Sequence, residues 1–138
     1  MKTPRALIVE DAPDLAEIFS LALRTAGYHT TILDNGLQAK QFLTHETPDL
    51  LLLDIHLPHY SGDRLLEEIR HLSHFAQTMI IIVTADTRRG EELRDIADFV
   101  LHKPIGFKQL RDLSSRLTAA MPHLKTGPLA TVEEEERP

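Results

Sequence analysis

The chain has 138 residues, a formal net charge of −6 and no cysteine. That length predicts a single domain, the missing cysteines exclude a disulfide framework, and the acidic balance argues against nucleic acid as a direct partner. No apolar run approaches the roughly 18 residues of a membrane span. The first apolar run is also too short for a signal peptide, so we expect a cytoplasmic protein with no membrane contact.

Five short apolar runs alternate with five amphipathic or polar stretches. The predicted strands are residues 6–9, 28–33, 50–54, 79–84 and 99–101. The predicted helices are about residues 15–26, 37–45, 65–72, 91–96 and 107–120. Asp14 is the candidate cap of the first helix and Gly27 is its stop signal. Strict alternation of strands and helices predicts a parallel sheet with helices on both faces and right-handed crossovers.

The third run consists of four leucines followed by Asp54 and has no polar alternation. This pattern is typical of a strand buried on both faces. A buried helix segment is the alternative, but Pro48 and Pro58 frame too few residues for one. Because the first, third and fourth strands are the most apolar, they should be central. The sequence therefore predicts an α/β, flavodoxin-like (βα)5 doubly wound sheet of strand order 2-1-3-4-5.

Polar side chains stand at the carboxyl ends of four predicted strands. These side chains are Glu10 and Asp11 after the first strand, Asp54 on the third, Thr84 on the fourth and Lys103 after the fifth. The four strands are neighbours in the predicted order, so the five side chains should meet at one edge. Three carboxylates repel one another unless a cation is present, and Mg²⁺ prefers oxygen ligands. A carboxylate can also be the nucleophile in phosphoryl transfer, with the ammonium group pairing with a phosphoryl oxygen.

Each of these residues alone has a simpler interpretation. Asp54 could be a turn or cap residue, and the acid pair before it in the chain could only start a helix. Thr84 could be an ordinary strand residue, and Lys103 could simply be the first residue after a strand. The joint pattern is much less expected by chance than any part of it, so it indicates a functional site.

As a set, these residues resemble the receiver domain of bacterial two-component response regulators, over about residues 5–121. The motifs that carry the resemblance are Glu10-Asp11, Asp54 with the loop that follows it to Gly62, Thr84-Ala85, and Lys103-Pro104.

The resemblance implies that Asp54 accepts a phosphoryl group from a phosphohistidine on a sensor histidine kinase or a histidine phosphotransfer protein. It implies that Mg²⁺ or Mn²⁺ is ligated by Glu10, Asp11, Asp54 and the backbone carbonyl of His56. It also implies that Thr84 moves to hydrogen-bond the phosphoryl group, that Lys103 contacts it, and that phosphorylation shifts a two-state equilibrium.

Two features depart from the family pattern. Receiver domains usually carry an aromatic residue three positions before the lysine, but here that position is Val100, with Phe99 expected on the opposite side of the strand. Thr84 and Lys103 are also only 19 positions apart, so the fourth helix should be short, and Arg88-Arg89-Gly90 should weaken it further. We expect the chemistry of Asp54 to be retained but the face formed by helix four, strand five and helix five to signal in a non-standard way.

Histidines surround the predicted site. His56 and His59 with Asp54 could form a zinc site, although such spacing arises easily by accident in a chain with eight histidines. A second interpretation is that His56 and Asp86 border the phosphoryl group and control the access of water, which would set the lifetime of the phosphorylated state.

We therefore expect a receiver domain at residues 1–121 and an acidic, disordered tail at residues 122–138. The expected protein is a stand-alone receiver, monomeric or weakly dimeric, that is not an enzyme beyond promoting its own phosphorylation and dephosphorylation. It should signal through contact with a protein target or by passing the phosphoryl group onward. A degenerate receiver that acts as a phosphorylation-independent binding module is the main alternative. A phosphohydrolase with an aspartyl-phosphate intermediate is disfavoured because His56 replaces its second acid, and a flavodoxin is disfavoured by the acid pair after strand one.

Overall fold

The computed structural model describes residues 2–121. Within them, five parallel strands form one sheet of order β2-β1-β3-β4-β5. The strands are β1 (Arg5–Val9), β2 (His29–Leu33), β3 (Leu50–Asp54), β4 (Met79–Thr84) and β5 (Phe99–His102). The helices between and after them are α1 (Pro13–Thr25), α2 (Gly36–Leu43), α3 (Gly62–Ile69), α4 (Thr87–Glu92) and α5 (Phe107–Ala119). The predicted flavodoxin-like architecture and strand order are confirmed.

The central strand is β3, as its unbroken apolar run predicts. All of its residues are buried, whereas β2 at the edge of the sheet has only exposed and half-buried residues. Leu51 and Leu53 pack on the face covered by α2 and α3, and Leu50 and Leu52 pack on the face covered by α1 and α5. Each fully buried leucine contributes about 2 kcal/mol through the removal of apolar surface from water, so both layers of helices are anchored on this strand.

The start of α1 and the end of α3 differ from prediction. Helix α1 begins at Pro13 after the N-cap residue Ala12, so Asp14 lies in the first turn and is not the cap. Proline is favoured there because its missing N–H would be unpaired at a helix start in any case. Helix α3 ends at Ile69, and Leu72, predicted to lie on its inner face, is outside the helix and 44% exposed.

Helix α4 has six residues and is short, as predicted, but it begins earlier than the predicted range 91–96. The side chain of Asp86 accepts a hydrogen bond from the N–H of Arg89 at 3.0 Å, which starts the helix at Thr87. The prediction that residues 88–90 would weaken the helix missed this cap, because capping satisfies backbone groups that are otherwise unpaired. Helix α4 ends at Glu92 with Leu93 as its C-cap residue.

Among residues 2–121, no helix is both long and apolar enough to cross a membrane. The predicted acidic tail, residues 122–138, lies outside the described part of the chain.

Candidate functional site

The three acids predicted to converge do lie together. Strands β1 and β3 are paired neighbours, Glu10 and Asp11 follow β1, and Asp54 ends β3. One oxygen from each carboxylate lies within 4.8 Å of the others, and among residues 2–121 this is the one group of acidic or histidine side chains placed to hold a metal ion. Glu10 and Asp54 are buried, while Asp11 is exposed. The cluster is therefore open to solvent on the side of Asp11.

Lys103 joins two of these acids. Its Nζ lies 2.8 Å from Oε1 of Glu10 and 3.1 Å from Oδ2 of Asp54. The backbone N–H of Lys103 donates to the carbonyl of Thr84 at 2.8 Å, which fixes the exit of β5 beside that of β4. Burial alone would lower the pKa of Lys103, but its ion pair with Glu10 and its hydrogen bond to Asp54 raise that pKa overall, so the side chain stays an ammonium group.

The electrostatics of the site favour a cation. Burial raises the pKa of Glu10, and the ion pair with Lys103 and the hydrogen bond from the N–H of Ala12 only partly oppose that shift. The charge of Asp54 raises the Glu10 pKa further. Three carboxylates thus face a single ammonium group, and this all-oxygen set of donors fits a hard divalent cation.

A glycine holds the phosphoacceptor candidate in place. The chain leaves β3 at Asp54, loops outward and returns at Gly62, whose N–H donates to the carbonyl of Ile55 at 2.7 Å. The backbone approach is so close that a Cβ on Gly62 would lie 1.8 Å from the carbonyl oxygen of Asp54. Any larger residue would have to displace one of these two backbones, so the position of Asp54 depends on this contact.

Thr84 is fully buried at the end of β4, and its Oγ1 accepts a hydrogen bond from the N–H of Asp86 at 2.9 Å. The carboxylate of Asp86 lies 2.8 Å from Nε2 of His56. His56 and Asp86 therefore form a bridge between the loops that follow β3 and β4, while their control of the access of water stays a prediction. The zinc interpretation is not supported, because His56 and His59 join no metal-holding cluster within residues 2–121.

The position usually occupied by an aromatic residue is filled by a small buried one. Val100 is buried in the core on the face of the sheet that α4 covers, close to Gly90, and Phe99 packs against the core on the opposite face of the sheet. The predicted placement of Phe99 on the opposite side of the strand is confirmed, so its ring does not occupy the place of the missing aromatic residue.

Sequence reasoning missed the role of Arg89. Its guanidinium group links α4 to α3, with 2.7 Å to Asp63 and 3.3 Å to Glu67, and it also pairs with Glu92 at 3.0 Å. Partial burial alone would raise the pKa of Asp63, but the hydrogen bond from Arg89 is the largest of several effects that lower it overall. No local pattern links residues 63 and 89, because the contact exists only after α3 and α4 pack side by side.

Replacing Arg89 with Gln should lower the free energy of unfolding by about 1 kcal/mol at pH 7, since a partly exposed network of ion pairs is lost. The lowered pKa of Asp63 stabilises the folded state above the ordinary pKa of aspartate, and this contribution disappears as pH falls through the lower folded value. Urea titrations measure the free energy of unfolding. The difference in this free energy between Arg89→Gln and the unmodified protein should therefore become smaller below about pH 4. Arg88→Gln is the matched control, because Arg88 is 93% exposed and pairs only loosely with Glu92. An equal loss in both variants would contradict the assigned role of Arg89.

The fold and site together define a parallel α/β domain with a lysine-bridged cluster of acids at the carboxyl ends of its strands. A family model described as "Response regulator receiver domain" matches residues 6–114. The chain belongs to this family of two-component signalling domains, as the resemblance of its motifs predicts.

Individual relatives agree with this assignment. The transcriptional regulatory protein BaeR of Escherichia coli O6:H1 is 38% identical over 105 residues, which are 74% of this chain and 42% of BaeR. The receiver domain of the sensor histidine kinase PA1611 of Pseudomonas aeruginosa, solved with magnesium in its active-site cleft, is 28% identical with a TM-score of 0.73, covering 83% of this chain and 97% of that one. The response regulator TrrA of Thermotoga maritima, solved with Mg²⁺ and BeF, is 30% identical with a TM-score of 0.73, covering 83% and 98%. The chain spans less than two thirds of the length of curated relatives such as BaeR.

Proposed function

We propose that this receiver domain accepts a phosphoryl group on Asp54 from a phosphohistidine of a sensor histidine kinase or a histidine phosphotransfer protein. The observation that supports it most strongly is the contact of Lys103 with both Glu10 and Asp54, at 2.8 and 3.1 Å, beside the exposed acid Asp11. A structural ion pair would need only one acid, whereas this arrangement gathers an excess of negative charge at an open edge of the sheet. That excess suits a site that receives a cation and a phosphoryl group.

In the proposed reaction, a carboxylate oxygen of Asp54 attacks the phosphorus atom. The bond from phosphorus to the histidine nitrogen breaks as the new bond to oxygen forms, and the imidazole leaves. Lys103 stays within reach and pairs with a phosphoryl oxygen. The hydroxyl group of Thr84 turns from the Asp86 N–H and donates to a second phosphoryl oxygen.

Glu10, Asp11 and Asp54, with the backbone carbonyl of His56, are the proposed ligands of Mg²⁺ or Mn²⁺. When bound, the ion neutralises negative charge on the acids and on the phosphoryl oxygens. The carbonyl of His56 follows Asp54 by two residues, and its assignment stays a prediction.

Phosphoramidate tests the acceptor chemistry, because it carries the same kind of phosphorus–nitrogen bond as phosphohistidine. We expect intact-protein mass spectrometry to show one phosphoryl adduct with Mg²⁺ present and none with excess chelator. The main alternative, a phosphorylation-independent binding module, draws support from Val100 and the short α4. Absence of an adduct under both conditions would favour that module.

Replacing His56 with Ala should shorten the lifetime of the phosphorylated protein several-fold. The His56 ring bridges to Asp86 at 2.8 Å and, in this proposal, limits the approach of water to the phosphoryl group. The measurement is loss of the adduct with time after the donor is removed. His71→Ala is the control, because His71 is an exposed residue beyond the end of α3. Equal lifetimes for His56→Ala and the unmodified protein would remove His56 from this role.

We further propose that the protein works in the cytoplasm as a stand-alone regulator, monomeric or weakly dimeric. It would act through protein contacts or onward phosphoryl transfer, without an activity toward other substrates. Several curated relatives are longer transcriptional or DNA-binding regulators. The way in which this protein passes on its signal is therefore the part of the proposal with the least support. Size measurement of the natural protein from cell extracts would test it.

A further inference from the structure

Three side chains converge on one point of α4. A Cβ built on Gly90 would lie 3.0 Å from Cγ2 of Thr84, 3.1 Å from Cγ1 of Val100 and 3.2 Å from Cε1 of His102. Thr84 and His102 are also direct partners in the pairing of β4 with β5. A residue with a side chain at position 90 would press on all three groups, so the glycine lets the helix rest directly on them. Any movement of Thr84 therefore changes the packing beneath α4.

The ring of His102 is held at one nitrogen. Its Nε2 lies 2.9 Å from Oε2 of Glu91 on α4, while its Nδ1 is buried and has no hydrogen-bond partner among residues 2–121. A buried polar atom without a partner opposes the conformation that leaves it so. Glu91 also pairs with Arg94. The hydrogen bonds from Arg94 and His102 lower the pKa of Glu91 to about 2. The ring position thus depends on one contact at the surface of α4.

We propose that His102, together with Gly90 and Glu91, reports the phosphorylation of Asp54 on the α4–β5 surface of this protein. When Thr84 turns toward the phosphoryl group, its methyl group leaves the point of convergence at Gly90. The His102 ring then turns inward to fill the space, and its contact with Glu91 breaks. This inference rests on the proposed phosphorylation of Asp54.

Val100 cannot make this movement. Its branched side chain is restricted in χ1 and is too short to reach far into the space that Thr84 leaves. The His102 ring turns about two bonds and lies on the same side of β5 as Val100, two residues away. The consequence is a change at the surface, because the Glu91 carboxylate loses one partner and keeps Arg94, from which it lies 2.7 Å.

The first test follows the Cε1–H signal of the His102 ring by NMR during addition of beryllofluoride and Mg²⁺. Fluorine NMR reports separately whether beryllofluoride binds. We expect the His102 signal to move with saturation while the signal of His45, an exposed residue just beyond the end of α2, stays in place. Bound beryllofluoride with an unmoved His102 ring would overturn this inference alone. Failure of beryllofluoride to bind would overturn the proposed function and this inference with it.

The second test compares Glu91→Ala with Glu92→Ala. The two glutamates are neighbours on α4 and are 49% and 48% exposed. Glu91 pairs with Arg94 and Glu92 with Arg88 and Arg89, but only Glu91 contacts His102. Loss of the contact that holds the resting ring should raise the apparent affinity for beryllofluoride about threefold in Glu91→Ala, the size expected for one exposed ion pair. Glu92→Ala should retain the original affinity. Equal affinities in the two variants would overturn the proposal.

Discussion

Replacing Asp54 with Asn should abolish the phosphoryl adduct formed with acetyl phosphate or phosphoramidate. The amide has nearly the same shape as the carboxylate but is not a nucleophile. The fold should persist, because Lys103 keeps its partner Glu10 at 2.8 Å. We expect the free energy of unfolding to change by no more than about 1 kcal/mol, the net size of one hydrogen bond. Intact-protein mass and urea titration measure the two effects separately.

Asp34→Asn is the control for this variant. Asp34 is an exposed acid that follows β2, on the same edge of the sheet as the site. It should keep the adduct of the unmodified protein in full. A persistent adduct in a folded Asp54→Asn protein would show that another residue accepts the phosphoryl group, and the assignment of Asp54 would be wrong.

Replacing Gly62 with Ala should lower the free energy of unfolding by about 3 kcal/mol or more, which is at the upper end for an overpacked site. The new Cβ would lie 1.8 Å from the carbonyl oxygen of Asp54 and 2.8 Å from its carbonyl carbon, and both atoms are backbone. A flexible side chain could move aside cheaply, but here β3 or the start of α3 must shift. The midpoint of urea unfolding should fall accordingly.

Gly106→Ala provides the comparison for Gly62→Ala. Gly106 precedes α5 with a φ of −79°, which any residue can adopt, and a Cβ there meets nothing within 4 Å. The free energy of unfolding of this variant should fall by at most about 0.5 kcal/mol, because alanine is a poorer N-cap residue than glycine. Similar stability of Gly62→Ala and the unmodified protein would mean that the backbone contact is looser than the structure indicates.

Apolar runs carried most of the information about the fold. The bounds of β3 and β4 match the predicted ranges 50–54 and 79–84, because uninterrupted runs of Leu and Ile are buried on both faces and leave little ambiguity. The convergence of Glu10, Asp11, Asp54 and Lys103 also followed from the strand order, since parallel strands end at one edge.

Features that depend on pairs of distant residues could not be predicted. The late predicted start of α4 has a different, local reason, because Asp86 caps the helix through the N–H of Arg89 three residues on and Gly90 lowers the helix propensity there. The glycine is explained by Thr84, Val100 and His102, which meet it only in the folded sheet. Local propensity penalises glycine in a helix, but a close tertiary contact overrides that penalty.

The same limit applies to Arg89. In the sequence it is one of two neighbouring arginines, and nothing distinguishes it from Arg88. In the structure Arg89 is 30% exposed and joins α4 to Asp63 and Glu67 of α3, whereas Arg88 is 93% exposed. The difference arises because successive helical residues point in different directions, and only one of them faces the neighbouring helix.

The most direct test of the account is to identify the modified residue. The protein is incubated with acetyl phosphate and Mg²⁺, reduced with borohydride, which converts an aspartyl phosphate to homoserine, and then digested and sequenced by mass spectrometry. The account predicts homoserine at position 54 and at no other acid, and none when a chelator removes the metal ion. Conversion at Asp11 or another acid, or no conversion with intact donor and Mg²⁺ present, would contradict the assignment of Asp54 as the phosphoryl acceptor.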